Sequence, residues 1–170
     1  MNDNPYVATN QLVLLLRSFL TQIGIETREQ VITETMFLPG LLIQNGILLI
    51  DSAQLLYPGD ILHEAGHIAV SLSEDRHQLT GNITEQRPDK AGDELAVLLW
   101  TYAACLHLNL DPHLVFHPAG YRGQSDWLIE QFTTESYIGL PLLVWMGLTL
   151  YPTANDQSGG FPKMTKWVRD

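Results

Sequence analysis

The chain has 170 residues, 45% hydrophobic and 16% charged, the balance of a folded globular protein rather than a disordered one. Nine Lys and Arg against nineteen Asp and Glu leave a formal net charge of −10. That deficit argues against nucleic acid and anionic membrane surfaces as partners, since both are bound by clustered Lys and Arg.

One domain is expected over residues 1–170, long enough to bury a core without metal or disulfide staples. Cys105 is the only cysteine, which excludes an internal disulfide. The first residues, MNDNPYVATNQ, lack the basic region and apolar run of a secretory signal. Met36–Ile50 and Ile138–Leu150 are the most apolar stretches, but Pro and Gly interrupt both and neither is long enough to span a bilayer. A soluble, cytoplasmic protein is the expectation.

In chain order, Asn10 offers a cap to an amphipathic helix with Leu12, Leu15, Leu16, Phe19 and Leu20 on one face and Gly24 as its stop. Asn45-Gly46 sits between two apolar runs and predicts a β-hairpin over Leu41–Asp51, because a tight hairpin turn needs positive φ at both central residues. Pro58-Gly59 turns the chain, and Asp60 can cap a helix running to about Leu72. Ser73–Asp89 is polar and reads as a loop. A second long helix is expected from Ala91 to about Asn109, with Glu94, Leu95, Leu98, Leu99, Tyr102 and Leu106 as its pattern, broken by Asp111-Pro112. Ser125 or Asp126 can cap a helix from Trp127 to about Ser136, and a last apolar helix is expected near Leu140–Leu150. The tail from about 152 to 170 reads as loosely ordered, with Phe161 and Trp167 as its anchors. The fold class is therefore α+β and mainly helical.

The chemistry concentrates in "GDILHEAGHIAV", Gly59–Val70. His63 and His67 are four residues apart, so on a helix both imidazoles leave one face and can grip a single ion. Glu64 is rotated roughly 100° from His63, near such an ion but outside its ligand set. H-E-x-x-H lets two neutral imidazoles hold zinc while the glutamate accepts a proton from activated water. The flanking "DIL" and "IAV" make this a buried helix, where two histidines and a glutamate are costly without partners. Ala65 and Gly66 allow close packing beside the site, although Gly66 costs about 1 kcal/mol against alanine in a helix interior.

A catalytic zinc needs a third protein ligand and an open position. Glu94, 27 residues beyond His67 at the start of the second long helix, is the leading candidate. Asp93 and a histidine from the His113/His117 loop are the alternatives, and both acids also suit a helix N-terminus through its dipole. "LHEAGHIAV" followed by "DELAVLLWTYAA" resembles the gluzincin type of metallopeptidase, and in particular the compact IrrE/ImmA-like regulatory metallopeptidases. His63, Glu64, Gly66, His67 and Glu94 match that pattern over the segment Gly59–Ala104. No glycine-spaced third histidine follows His67, so the metzincin pattern is absent. The chain also resembles uncharacterised bacterial zincin-like proteins that share "HEAGH" and a later loop like its own "FHPAGYRG". These resemblances imply a minimal zincin-like core: a motif helix, a ligand-bearing second helix and a small β-hairpin or sheet.

In "VFHPAGYRG", His117 and Tyr121 are suitable donors to an oxyanion, and Arg122 is a weaker candidate for a substrate carboxylate. The competing reading has Tyr121 packed on Trp127 and His117 capping a turn. His77 falls in a polar loop, His107 on an apolar helix face, and Cys105 reads as a small core residue, as do Trp100, Trp127 and Trp145 as large ones.

The expectation is a zinc-dependent hydrolase, a peptidase or amidase acting on a narrow peptide or protein substrate, with another divalent first-row metal also compatible with these ligands. The alternative is a metal-binding regulatory or interaction module of the same fold that cleaves nothing. A metal-free structural domain is the third reading.

Overall fold

In the computed structural model, which describes residues 5–83, 92–153 and 159–170, Asn45-Gly46 turns the hairpin as its composition requires. Their φ values are +53° and +75°, and the flanking runs form β2 (Leu41–Gln44) and β3 (Ile47–Ile50) in antiparallel register, Leu41 opposite Ile50. A short strand absent from the sequence reading, β1 (Thr27–Glu29), joins β3 in parallel, giving the order β1-β3-β2. Leu48, Leu49 and Ile50 are all buried, as a central strand covered on both faces demands.

Five α-helices accompany this sheet among the described residues, so the fold is α+β and mainly helical. They are α1 (Pro5–Gln22), α2 (Asp60–Val70), α3 (Asp93–His107), α4 (Ser125–Thr133) and α5 (Leu140–Trp145). The polar stretch after α2 contains one 3-10 turn, Arg76–Gln78, before Thr80 bridges to Gln44; the remainder of that loop, from 84 to 91, lies outside the described residues. α3 packs against α2 on one side and α5 on another, which explains why nine of its fifteen residues are buried rather than a single stripe. Gly66 is where α2 and α3 touch: a Cβ there would lie 2.9 Å from Val97 Cγ1 and 3.3 Å from Thr101 Oγ1.

Several expected boundaries and faces shift. α1 begins at Pro5, before the expected Asn10 cap, and buries Val13, Leu16, Phe19 and Leu20, while Leu15 faces solvent on the other side of the helix. Asp60 does not cap α2: Gly59 is the cap residue, without a side-chain bond, and α2 ends at Val70. Ser125 and Asp126 are the first residues of α4 itself; the Ser125 hydroxyl bonds instead to the His117 carbonyl at 2.6 Å. α5 stops at Trp145 because Gly147 turns left-handed (φ +73°), after which Leu148 and Thr149 run extended and pair with Thr165 and Met164.

The tail from 159 to 170 is packed rather than loose, and the segment 154–158 lies outside the described residues. Phe161 is buried, and the Trp100 indole N–H donates to the Trp167 carbonyl at 2.8 Å. Arg169 donates its backbone N–H to Ala69 and its guanidinium to Val70, satisfying carbonyls that the C-terminus of α2 leaves open. Trp100 is fully buried, but Trp127 and Trp145 are exposed, the latter beneath the Arg169 guanidinium at 4.7 Å. His107 is exposed on its helix, its ring resting against Phe19 and Trp167; Cys105 is buried, and burial pushes its thiol up to about 12.

Candidate metal centre

α2 supplies His63, Glu64 and His67, and the first turn of α3 supplies Glu94. The His63 and His67 rings meet edge to face with centroids 5.0 Å apart, as four-residue helical spacing dictates. His63 Nε2 lies 3.5 Å from Glu94 Oε1, and His67 Nε2 lies 3.6 Å from Glu94 Oε2. One ligand atom from each of the three residues falls within 4.8 Å of the others.

Those spacings exceed a good N–H···O hydrogen bond, whose mode is about 2.9–3.0 Å. They are close to the edge of a tetrahedron: two donors each about 2.1 Å from one zinc ion sit about 3.4 Å apart. The protonation states agree. Burial pushes His63 and His67 each down to about 4, so both imidazoles are neutral near pH 7 and carry a lone pair for a cation rather than a charge for an ion pair with Glu94. Glu64 is pushed up to about 8, first by burial and then by the charges of Asp60 and Glu94. A divalent cation among these groups reverses that local balance.

The loop after α3 reaches this site from above the start of α2. Asp111 accepts from the His113 backbone N–H and faces its ring at 2.8 Å, leaving His113 exposed and outside the cluster, as is Asp93. His117 is buried; its Nε2 lies 3.1 Å from Asp60 Oδ1, and its ring stacks flat on Tyr57 with centroids 3.7 Å apart. Tyr121 sets its ring edge to face against His63 at 5.8 Å and packs on Phe116 at 5.1 Å. Its hydroxyl is buried with no hydrogen-bond partner, and burial, followed by Asp60, Glu94 and Glu64, raises its pKa. Arg122 is exposed.

A small pocket is lined by Glu64 together with Met36, Phe37, Leu42, Ile43 and Gly81. Its rim is strongly apolar, Phe37 being 79% exposed.

Sequence reasoning read Asp60 as a cap and did not single out Tyr57. For Asp60 a signal existed: it is four residues before Glu64 and shares its helix face. For Tyr57 nothing local distinguishes a stacking partner from an exposed loop aromatic. Comparison with known proteins finds no match to this chain, whether among family models, curated proteins or solved structures.

Proposed function

We propose that this protein is a metal-dependent hydrolase, a peptidase or amidase with a narrow substrate range, and that zinc is its metal. The convergence of two neutral imidazoles and one carboxylate around a common point, with a buried Glu64 beside them, carries this reading. The donor set fits a zinc site with an open fourth position: two nitrogens and one oxygen, from two rigid helices. Bound there, a divalent ion supplies Lewis acidity, lowering the pKa of water and polarising a carbonyl.

The chain's own residues then have separable roles. His63, His67 and Glu94 hold the ion. Glu64, ionised once a cation's charge offsets the effect of burial, would accept the proton of the attacking water and return it to the leaving nitrogen. Tyr121 presents a buried, unpartnered hydroxyl on the side of His63, suited to donate to the oxygen on which charge grows.

One observation favours the non-catalytic module. The Gly81 N–H donates to the Ile43 carbonyl at 2.8 Å, and Thr80 bridges to Gln44, so the outer edge of β2 is already partly engaged. The experiment is zinc stoichiometry on purified protein followed by hydrolysis of a peptide library by wild type and Glu64→Gln. The expected result is one zinc per chain in both, with turnover reduced about 10²–10⁴-fold in the variant. Full zinc occupancy with no cleavage by wild type selects the binding module; no zinc uptake overturns both.

A further inference from the structure

The Asp60–His117 pair is more than 90% buried on both sides, at 8% and 9% side-chain exposure, and the mechanism above does not use it. Burying a carboxylate against an imidazole carries a desolvation cost that the pairing only roughly repays, so such a pair needs a reason other than stability. Its position supplies one. Asp60 opens the motif helix, whereas His117 belongs to the loop that carries Tyr121, and the bond between them ties that loop to α2.

The loop is fastened at His117 on several sides. The ring stacks at 8° to the plane of Tyr57, on the segment leading into α2. The carbonyl accepts from the Ser125 hydroxyl at the start of α4 and from the Gly120 N–H at 3.0 Å. A Cβ on Gly120 would come within 3.1 Å of the His117 ring, and one on Gly59 within 2.0 Å of the Leu114 carbonyl, so the loop lies directly on the start of α2. Immediately beyond, Tyr121 and Arg122 both have φ of +54° and Gly123 has +75°. Left-handed backbone costs a non-glycine residue roughly 1–2 kcal/mol and persists only where its surroundings impose it. Here the consequence is that the Tyr121 ring stands against His63.

We infer that Asp60 and His117 are positioning residues: a buried clasp that holds the left-handed Tyr121 turn so that its hydroxyl faces the metal-binding side of α2. The inference rests on the hydrolase reading for its purpose, but the clasp itself is testable without metal. In metal-free protein, Asp60→Ala and His117→Phe shift the Tyr121 ring resonances in NMR spectra, while the Trp100 indole N–H, bonded to Trp167, stays in place as the reporter of the fold. Asp60→Asn, which keeps an acceptor for Nε2–H, restores them. In zinc-loaded protein, Tyr121→Phe weakens acetohydroxamate binding about tenfold, the scale of one hydrogen bond. Asp60→Ala weakens it equally, and the Asp60→Ala/Tyr121→Phe double variant is no weaker than Tyr121→Phe alone.

Tyr121 resonances unmoved in both clasp variants, or additive losses in the double variant, overturn the inference. If Asp60→Ala loses the Trp100 signal, His117→Phe, which retains the stacking surface on Tyr57, decides alone. If wild type takes up no zinc, the hydrolase reading fails while the metal-free spectra still decide the clasp.

Discussion

Glu94 joins the two histidines only because α3 crosses α2 at Gly66, and it is the one candidate ligand of the three not drawn from the motif helix. It stands in the first turn of α3, partly exposed, ahead of the largely buried stretch of that helix that begins at Ala96 and Val97. Glu94→Ala should therefore leave the fold intact yet lower zinc affinity by at least about a hundredfold, more than the loss of a residue that merely supports a ligand. Chelator competition measures the affinity and near-UV circular dichroism the fold; unchanged affinity would remove Glu94 from the site. At this scale His63, Glu64 and His67 were legible because helical geometry is local. The partner of His117 was not, since it lies 57 residues away in sequence.

Between elements, the contact of α2 with α3 sets the distance across which the candidate ligands converge. Gly66→Ala gains roughly 1 kcal/mol of helix preference but drives a methyl to 2.9 Å from Val97 Cγ1 and 3.3 Å from Thr101 Oγ1. Overpacking of this kind costs about 1–3 kcal/mol, so a small net loss of stability is expected together with weaker zinc binding as the helices part. Calorimetric melting and zinc titration measure the two effects; a variant that is more stable and binds zinc as wild type does would show that the crossing tolerates the methyl. The glycine was legible as a packing device, whereas which residues it meets depends on how α3 is rotated.

Across the whole molecule, the tail from 159 to 170 closes the C-terminal end of α2, and β2 packs against the same helix. Among the described residues no helix is long and apolar enough to cross a membrane. If zinc binds the native state alone, adding it at about a hundredfold above Kd stabilises by about 2.7 kcal/mol and raises Tm by roughly 5–10 °C. Differential scanning calorimetry with and without zinc reads that shift, and its absence would argue for a metal-free domain.

One contribution to acid stability lies elsewhere, at Asp51, which follows β3 and accepts from the backbone N–H of Ile32 at 2.9 Å, the Gln54 amide at 2.7 Å and the Ala53 N–H at 3.1 Å. The Ile32 bond, then Gln54, holds its carboxyl below the usual value of 3.8. A depressed carboxylate contributes stability above its unfolded pKa and loses it as pH falls through the folded one. The difference in urea midpoint between wild type and Asp51→Asn should thus be largest at pH 5 and shrink by pH 3. A gap that widens on acidification would contradict the sign.

The sequence by itself determined the parts whose causes are local: the Asn45-Gly46 hairpin, the apolar helices, the acid-led second helix, and His63, Glu64 and His67 on neighbouring turns. Those follow from turn φ values and from the repeat of 3.6 residues per helical turn, which require no knowledge of what lies across the core. Tertiary structure decided what depends on distant partners. It paired β1 with β3, packed the tail against α2, turned Asp60 from an expected cap toward His117, and left Trp145 in solvent. It also set Glu94 rather than Asp93 beside the two imidazoles, because the rotation of α3 about its axis is fixed by the packing of Val97, Trp100 and Thr101 around Gly66, and adjacent helical residues point roughly 100° apart.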